Sequence, residues 1–360
     1  MSEIRNILLL KHFSVGLGDV IRSTASWKSI KEKFPDSAIH IFFLSSKPGS
    51  ASEYIFYSSP YVESFKVVRK VEKKNYLGRY IPLSEWKAIF SEMRSYINGK
   101  NIDIAVDQEP HGIENGILSL WLRLNGIKTL GIMQYPGKNI FYSMVSPSMR
   151  KYAKNEGKMY PLEYTERDYV SLYSLGIRRL RTQVEVPLTK EGETFSEQFI
   201  APLKKESNRM LIGVNIGCGP NAIEKRRPNM PFIIDMFMRL HAEMNACFVL
   251  TGTTDEVAVN KQILYYLQQG AANDLSVVDF SGKTNIGEFS GLIYGCDAFI
   301  STDSGPFHLS VALKTPTIGL FKVDNPTCYH YNEYTRNLVV DDYHHHTGYV
   351  VDALREIFHG

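Results

Sequence analysis

Short apolar runs alternate with stretches of helical periodicity along the first half of the chain. Apolar runs at residues 7–10, 39–44, 65–68 and 102–106 predict strands. Between the first two runs, apolar side chains recur every three to four residues over residues 20–34, which predicts a helix. Unbroken apolar strands that alternate with helices are typical of a parallel sheet covered on both faces. The pattern therefore predicts an α/β fold.

The same alternation restarts after a polar segment at residues 189–208, which we interpret as a domain boundary. In the second half, strands are predicted at residues 210–215, 247–251, 277–279, 298–301, 317–321 and 338–340, and helices at residues 231–244, 256–269 and 286–294. Residues 135–164 lack clear periodicity and are predicted to form a loop-rich excursion. We expect two Rossmann-like domains that face one another across a cleft, residues 1–190 and 191–345. A final helix in residues 346–360 is predicted to pack back on the first domain.

Composition and charge indicate a soluble globular protein with two domains. The chain has 360 residues, of which 44% are hydrophobic and 22% charged. A formal net charge of +3 does not by itself indicate a nucleic-acid partner. Positive charge is concentrated at residues 61–100, with nine Lys or Arg against four Glu. This stretch fits a solvated surface, or a docking surface for an anionic acceptor or membrane headgroups.

The cysteines and the first apolar run predict a cytoplasmic protein. The four cysteines are scattered with no C-x-x-C pair, which argues against a metal or redox site and fits free thiols. The run at residues 7–10 ends at Lys11 and His12, so it is too short for a signal sequence or a membrane span.

The segment at residues 298–316 combines the end of a strand with the start of a helix. The apolar run ends in Thr-Asp-Ser-Gly-Pro at residues 302–306, and His308 lies in the first turn of the helical pattern that follows. Serine suits the N-cap, and proline suits the first turn. A helix that begins at the carboxyl end of a strand presents backbone N–H groups and a positive dipole end, which suits a diphosphate. Asp303 and His308 would flank this anion.

A second turn with glycines follows the first predicted strand. Gly16 and Gly18 resemble part of a dinucleotide-binding turn, but Ile21 stands in the place of the third glycine. The glycines allow a tight turn and place Asp19 at a helix start. Two interpretations stay open for Asp19, a helix cap or a general base.

Two further strand ends carry candidate chemistry. Gly217 and Gly219 lie in a turn that leads to three cations in residues 224–228, a pattern typical of an anion site. Lys225 would neutralise charge on a departing diphosphate, although a basic surface loop is the alternative. Glu256 follows another glycine turn and suits either a ribose diol or a helix cap.

The sequence offers no convincing metal site. The three adjacent histidines at residues 344–346 cannot all face one ion, and they have no suitably spaced partner. The Ser-Gly-Lys-Thr at residues 281–284 lacks the upstream glycine spacing of a phosphate-binding loop, and no Asp-x-Asp is present. We therefore predict chemistry without a metal.

Four segments, in order along the chain, resemble signatures of glycosyltransferase family 9, the ADP-heptose:lipopolysaccharide heptosyltransferases. They are GLGDVIRSTASWKSIKEKFP from residue 16, Asp107-Gln108, EKRRP at residues 224–228, and FSGLIYGCDAFISTDSGPFHLSVALKTPTIGLF from residue 289. The resemblance implies a GT-B type fold, with the acceptor on the first domain and the nucleotide sugar on the second. It implies Asp19 as general base and Lys225 as the diphosphate contact.

The full set of expected binding residues follows from these motifs and turns. The donor-binding residues are Gly217, Gly219, Glu256, Asp303, Ser304, Gly305 and His308, and the acceptor-binding residues are Gly18 and Asp107. Two positions depart from the family pattern. Arg227 replaces an aromatic residue, and residues 322–325 replace Gly-Pro-Thr after Phe321. Both lie near the expected donor site, so the sequence leaves the transferred sugar open.

The sequence therefore predicts an inverting, metal-independent glycosyltransferase without a cofactor. It would move a heptose or related sugar from an ADP-sugar to a hydroxyl of a lipopolysaccharide core or other cell-surface glycan. Its partners would be the nucleotide sugar and a lipid-linked or surface glycan, with peripheral contact at the cytoplasmic face of the inner membrane. A non-catalytic nucleotide-sugar-binding regulatory or scaffold protein is the alternative, against which the intact Asp19 and Lys225 argue. The broken glycine pattern at Gly16 argues against an oxidoreductase.

Overall fold

The computed structural model consists of two compact units, Met1–Val184 and Glu185–Gly360. It describes residues 4–12, 16–75, 78–109, 111–179, 183–217, 223–270, 275–322, 330, 332–341 and 347–359. Within these residues each unit contains one parallel sheet of six strands with helices between the strands. The predicted α/β class with two parallel sheets is confirmed.

The first unit contains eight strands and six α-helices within the described residues. The strands are β1 (Asn6–Lys11), β2 (Ala38–Ser45), β3 (Val62–Arg69), β4 (Lys73–Asn75), β5 (Gly78–Tyr80), β6 (Ile104–Asp107), β7 (Lys128–Ile132) and β8 (Met144–Ser146). The helices are α1 (Leu17–Lys33), α2 (Ser52–Ser58), α3 (Leu83–Ile97), α4 (Glu114–Leu124), α5 (Met149–Asn155) and α6 (Glu166–Leu172). The sheet order is β3-β2-β1-β6-β7-β8, and β4 and β5 form a separate antiparallel hairpin.

The second unit repeats this organisation. Its strands are β9 (Met210–Asn215), β10 (Ala246–Thr251), β11 (Val277–Asp279), β12 (Ala298–Thr302), β13 (Thr317–Phe321) and β14 (Thr335–Val339), in the order β11-β10-β9-β12-β13-β14. Its helices are α7 (Lys190–Phe195), α8 (Ala201–Ser207), α9 (Ile223–Arg226), α10 (Met230–Met244), α11 (Val257–Gln269), α12 (Ile286–Gly295), α13 (Gly305–Ala312) and α14 (Thr347–His359).

Both sheets reverse their strand order at one point, between β1 and β6 in the first unit and between β9 and β12 in the second. In open parallel sheets of this kind, ligands bind in the crevice beyond the carboxyl ends of the strands at such a switch point. The central strands are buried because helices cover both faces, which explains their unbroken apolar sequences. The two switch points are therefore where functional side chains are expected.

The segment between the predicted domains is helical rather than a linker. Residues 190–207 form α7, one π-helical turn and α8, and Thr189 caps α7 by accepting a hydrogen bond from the Gly192 amide. Phe195 and Ile200 bury their side chains against α12, which assigns this polar-looking segment to the second unit. The boundary therefore lies after Val184 rather than after residue 190.

The last helix corrects another prediction. Residues 346–360 were expected to pack on the first domain, but α14 packs against α10, β13 and β14 of its own unit. Val350, Val351 and Leu354 are buried in the larger core cluster of the second unit. The reason is that α14 follows β14 directly, and its apolar face covers the sheet beside α10. Residues 135–164, predicted to be loop-rich, also contain the short elements β8 and α5.

Candidate functional site

Ionisable side chains gather at the carboxyl ends of β1 and β6 in the first unit. Lys11 ends β1, Asp107 ends β6 and Glu109 follows it, and these residues are 2%, 0% and 6% exposed. Buried charges are costly unless they are paired and hydrogen-bonded. The arrangement at this edge is accordingly a connected network of ion pairs.

Asp19 lies at the open side of this network. It is in the first turn of α1, which begins after Gly16, and Gly18 is buried in the same turn. The Asp19 side chain is 36% exposed, and its Oδ1 accepts hydrogen bonds from the Tyr164 hydroxyl at 3.1 Å and from Arg22 Nη1 at 3.3 Å. An oriented and partly exposed carboxylate at a helix N-terminus has the geometry required of a general base. Asp19 therefore lies at a helix start, as the sequence predicted, and its role as a general base stays a proposal.

Arg22 joins Asp19 to a second carboxylate that the sequence analysis did not single out. The Arg22 Nε donates to Asp168 Oδ1 at 3.1 Å, and Asp168 is fully buried on α6. The Ser23 hydroxyl donates to Asp168 Oδ2, which lies 3.8 Å from Lys11 Nζ. Burial alone would lower the pKa of the Arg22 guanidinium. The negative charges around it, of which Asp168 has the largest effect, outweigh burial and raise this pKa.

Asp107 is enclosed by protein groups. Its Oδ2 accepts a hydrogen bond from the Tyr142 hydroxyl at 2.6 Å, and its Oδ1 accepts one from Asn115 Nδ2 at 2.9 Å. Lys138 Nζ lies 3.6 Å from the same carboxylate. Burial and the Asp107 charge raise the pKa of Tyr142, so its hydroxyl remains a donor at neutral pH. With 0% exposure, Asp107 is better placed to fix Lys138 and the strand end than to make the predicted contact with an acceptor.

A further ion pair borders this edge. His12 Nε2 lies 3.0 Å from Glu114 Oε2 at the start of α4. Burial alone would raise the pKa of Glu114, but the hydrogen bond and charge from His12 outweigh it and lower the value to about 2. The Glu114 carboxylate is therefore ionised at neutral pH.

In the second unit, three of the sequence-predicted segments meet beyond β9. The Thr302 hydroxyl donates a 2.6 Å hydrogen bond to the Gly217 carbonyl, which ties the end of β12 to the residues that directly follow β9. A Cβ at Gly217 would lie 1.4 Å from Glu256 Oε1, so only glycine fits beside this carboxylate. Glu256 Oε2 accepts the Thr253 amide at 2.7 Å within a capping box. Glu256 therefore caps a helix start and also reaches the Gly217 turn, where a ligand contact is predicted.

The basic segment is anchored at the same edge. Arg226 Nη1 lies 3.2 Å from the Asp303 carbonyl oxygen and 3.3 Å from Asp303 Oδ2, which fixes the end of α9 to the residue after β12. Lys225 precedes Arg226 and is exposed. Within the described ranges its ammonium group makes no hydrogen bond or ion pair. Gly219, a predicted donor-binding residue, lies outside the described residues.

The start of α13 is not capped by a side chain. Ser304 occupies the N-cap position, but its hydroxyl donates to the Thr302 carbonyl at 3.2 Å and makes no capping bond. The first helical residue is Gly305, and the next residue, proline, has no N–H. His308 is 5% exposed, and its Nδ1 lies 2.8 Å from His330 Nε2. The backbone donors at this N-terminus are suited to an anion, as the sequence predicted.

No group of three or more His, Cys, Asp or Glu that could hold a metal ion occurs in the part of the chain that the structure describes. None of the described helices is long and apolar enough to cross a membrane. The histidines at residues 344–346 lie outside the described residues.

The sequence of this chain is similar to known proteins over part of its length. Residues 179–347 match the family model of glycosyltransferase family 9 (heptosyltransferase). Over 157 residues the chain is 42% identical to the lipopolysaccharide core heptosyltransferase OpsX of Haemophilus influenzae. This match covers 42% of the chain and only 40% of that relative.

Comparison of structures extends the likeness to almost the whole chain. The glycosyl transferase family 9 structure from Veillonella parvula has a TM-score of 0.72 at 18% identity, over 94% of this chain and 87% of that one. The ADP-heptose lps heptosyltransferase II of E. coli has a TM-score of 0.69 at 17% identity, over 97% and 98% of the two chains. At these identities the likeness establishes the fold, which is of the GT-B type.

Proposed function

We propose that this chain is a member of glycosyltransferase family 9 and that it transfers a heptose from ADP-heptose to a hydroxyl group of a lipopolysaccharide core. The observation that carries the proposal is the meeting of the Gly217 turn, Glu256 and the uncapped start of α13 at the switch point of the second sheet. Such an edge binds nucleotides in other doubly wound folds. The names of the similar proteins supply the sugar and the acceptor.

The donor would bind to the second unit. The backbone amides at the start of α13 and the Lys225 ammonium would contact the diphosphate, and Glu256 would contact the ribose. His308 and Asp303 would flank the phosphates and the sugar. Each of these groups lies on a segment that follows a strand, Lys225 after β9, Glu256 after β10, and Asp303 and His308 after β12.

The acceptor would bind to the first unit, and the reaction would be an inverting displacement. Asp19 takes the proton from the acceptor hydroxyl, whose oxygen attacks the anomeric carbon on the face opposite ADP. The bond from that carbon to the diphosphate oxygen breaks, and its electron pair leaves with ADP. Lys225 and the amides of α13 stabilise the negative charge that develops on the diphosphate. Because these groups supply the required positive charge, no step of the proposed route needs a metal.

Charge on the first unit supports an anionic acceptor. Burial lowers the pKa of His111, and the nearby cations Lys138, Arg167 and Arg22 add to this effect. Elsewhere on the first unit, Leu83 is 90% exposed. It comes shortly after the β4–β5 hairpin, which contains Lys73, Lys74 and Arg79. We propose that this region makes peripheral contact with the cytoplasmic face of a membrane that carries the acceptor.

Thermal unfolding in the presence of candidate ligands tests the donor assignment. We expect ADP to raise the Tm and ADP-heptose to raise it further, because the sugar adds contacts beyond those of the nucleotide. UDP, GDP, CMP and NAD at the same concentration serve as comparisons and should give smaller shifts. A larger shift with one of these nucleotides would overturn the assignment of an ADP-linked donor.

A further inference from the structure

Two carboxylates of the first unit share one guanidinium group. Arg22 is 7% exposed and lies between Asp19 and Asp168, with nitrogen–oxygen distances of 3.3 Å and 3.1 Å. Asp19 faces the open edge, whereas Asp168 is completely buried. Only one of the two carboxylates can therefore meet a substrate.

The buried carboxylate is held firmly from its other side. Its Oδ2 accepts the Ser23 hydroxyl, and Lys11 Nζ lies 2.7 Å from the Ser23 Oγ and 3.8 Å from the carboxylate. Lys11 is itself 3.9 Å from Glu109. Because charges buried this deeply cannot exchange their partners for water, the orientation of Asp168 is fixed.

We propose that Asp168 is a positioning residue, which holds Arg22 so that Arg22 orients the Asp19 carboxylate without neutralising its basicity. The inference rests on the proposed function, in which Asp19 takes the acceptor proton. Asp168 touches no substrate and acts only through Arg22.

The physical reason is the division of one positive charge between two negative ones. A carboxylate that alone faces a nearby guanidinium is strongly favoured in its ionised form, which makes it a poor proton acceptor. With Asp168 on the opposite side, the field of Arg22 at Asp19 is partly cancelled. The hydrogen bonds from Arg22 and from Tyr164 then supply orientation, while the carboxylate keeps its reactivity.

Other charged or titratable groups around this triad come from several segments of the first unit. They are Lys11 on β1, Glu109 and His111 after β6, Tyr164 before α6, and Arg167 on α6, whose guanidinium lies 5.5 Å from the centre of the Tyr164 ring. These groups stay in place in the variants described next. A shift in pH dependence between those variants therefore reports the Asp168–Arg22–Asp19 coupling.

The test compares three variants by the pH dependence of kcat, with ADP-heptose and lipopolysaccharide from a heptose-deficient strain as substrates. In Asp168→Asn the amide oxygen still accepts from Arg22 but carries no charge. We expect the acidic limb of the curve of kcat against pH to move to lower pH by about one unit. The plateau of kcat should fall about tenfold. In Arg22→Gln the cation is lost, and the acidic limb should move to higher pH by about one unit. The KM for the donor should stay unchanged in both variants.

Glu166→Gln provides the matched control. Glu166 is 5% exposed on the same helix, and it binds the Tyr152 hydroxyl and Lys158, each at 2.8 Å. Its replacement also removes a buried charge from α6, so a purely structural effect should resemble that of Asp168→Asn. We expect the acidic limb to stay at the wild-type pH.

Opposite movements of the limb in the Asp168 and Arg22 variants support the inference, and equal or absent movements overturn it. If Asp168→Asn does not fold, Arg22→Gln is compared with Arg22→Lys, which should return the limb towards the wild-type pH. A limb that Arg22→Gln leaves unmoved overturns the inference. If the wild type gives no transfer, or if Asp19→Asn keeps full kcat, the proposed function itself fails instead.

Discussion

Replacing Asp19 with asparagine should lower kcat by about 10²- to 10⁴-fold, the usual contribution of a general base. Asparagine can still accept hydrogen bonds from Arg22 and Tyr164, so the local structure is kept. It cannot take a proton from the acceptor hydroxyl. The Kd for ADP should remain at the wild-type value, because the nucleotide is assigned to the second unit. Turnover of a heptose-deficient lipopolysaccharide and calorimetric ADP binding provide the two measurements.

Asp36→Asn is the matched control for this variant, because Asp36 is an exposed aspartate of the same unit that lies just after α1. Its kcat should equal that of the wild type. A kcat for Asp19→Asn within a few-fold of the wild-type value would remove Asp19 from the mechanism.

Lys225→Ala should weaken ADP binding about tenfold, since a hydrogen bond to a charged phosphate contributes more than a neutral one. It should also lower kcat by about 10²-fold, because the charge on the departing diphosphate grows in the transition state. The exposure of Lys225 and its lack of described partners mean that the fold should tolerate the change. ADP binding and steady-state turnover, measured on the same preparation, separate the two effects.

Lys261→Ala removes an exposed lysine from α11 of the same unit and controls for the change in net charge. It should leave both parameters unaltered. An unchanged Kd for ADP in Lys225→Ala would count against the diphosphate contact.

The strands of the two sheets were the most predictable part of the fold. β9, β11 and β13 begin and end at the predicted residues, and β1 extends the predicted run by one residue at each end. In β1, β9 and β13 the apolar sequence is unbroken because both faces of the strand are covered, so the apolar run coincides with the strand. β8 and α5 gave no signal, because these short elements lie in residues 135–164, where the sequence has no clear periodicity.

Helices that bury little apolar surface were harder to predict. α7, the π-helical turn and α8 bury only a few side chains, among them Phe195 of α7 and Ile200 of the turn. The remaining polar residues made the segment resemble a linker. α14 was predicted as a helix, but its partner was not. The packing of a terminal helix depends on which face of the neighbouring sheet is uncovered. The local sequence pattern of the helix does not predict that face.

The candidate site was predictable where a residue lies directly after a strand or at the start of the helix that follows it. Asp19, Gly217, Glu256 and Asp303 were found in this way, because the carboxyl ends of parallel strands lie at one edge of a sheet. Asp168 was missed because it reaches Arg22 across 146 positions of sequence. Its only local signal is an aspartate that directly precedes buried apolar residues of α6, a weak sign without the tertiary contact.

The central claim is sugar transfer, and analysis of the acceptor after incubation with ADP-heptose tests it most directly. Wild-type protein with ADP-heptose, heptose-deficient lipopolysaccharide and EDTA should add one heptose to the acceptor, seen by mass spectrometry. Nuclear magnetic resonance should show that the anomeric configuration is inverted relative to the donor. Protein that binds ADP-heptose but leaves the acceptor mass unchanged, with or without added divalent metal, would contradict the account and indicate a nucleotide-sugar-binding protein without transferase activity.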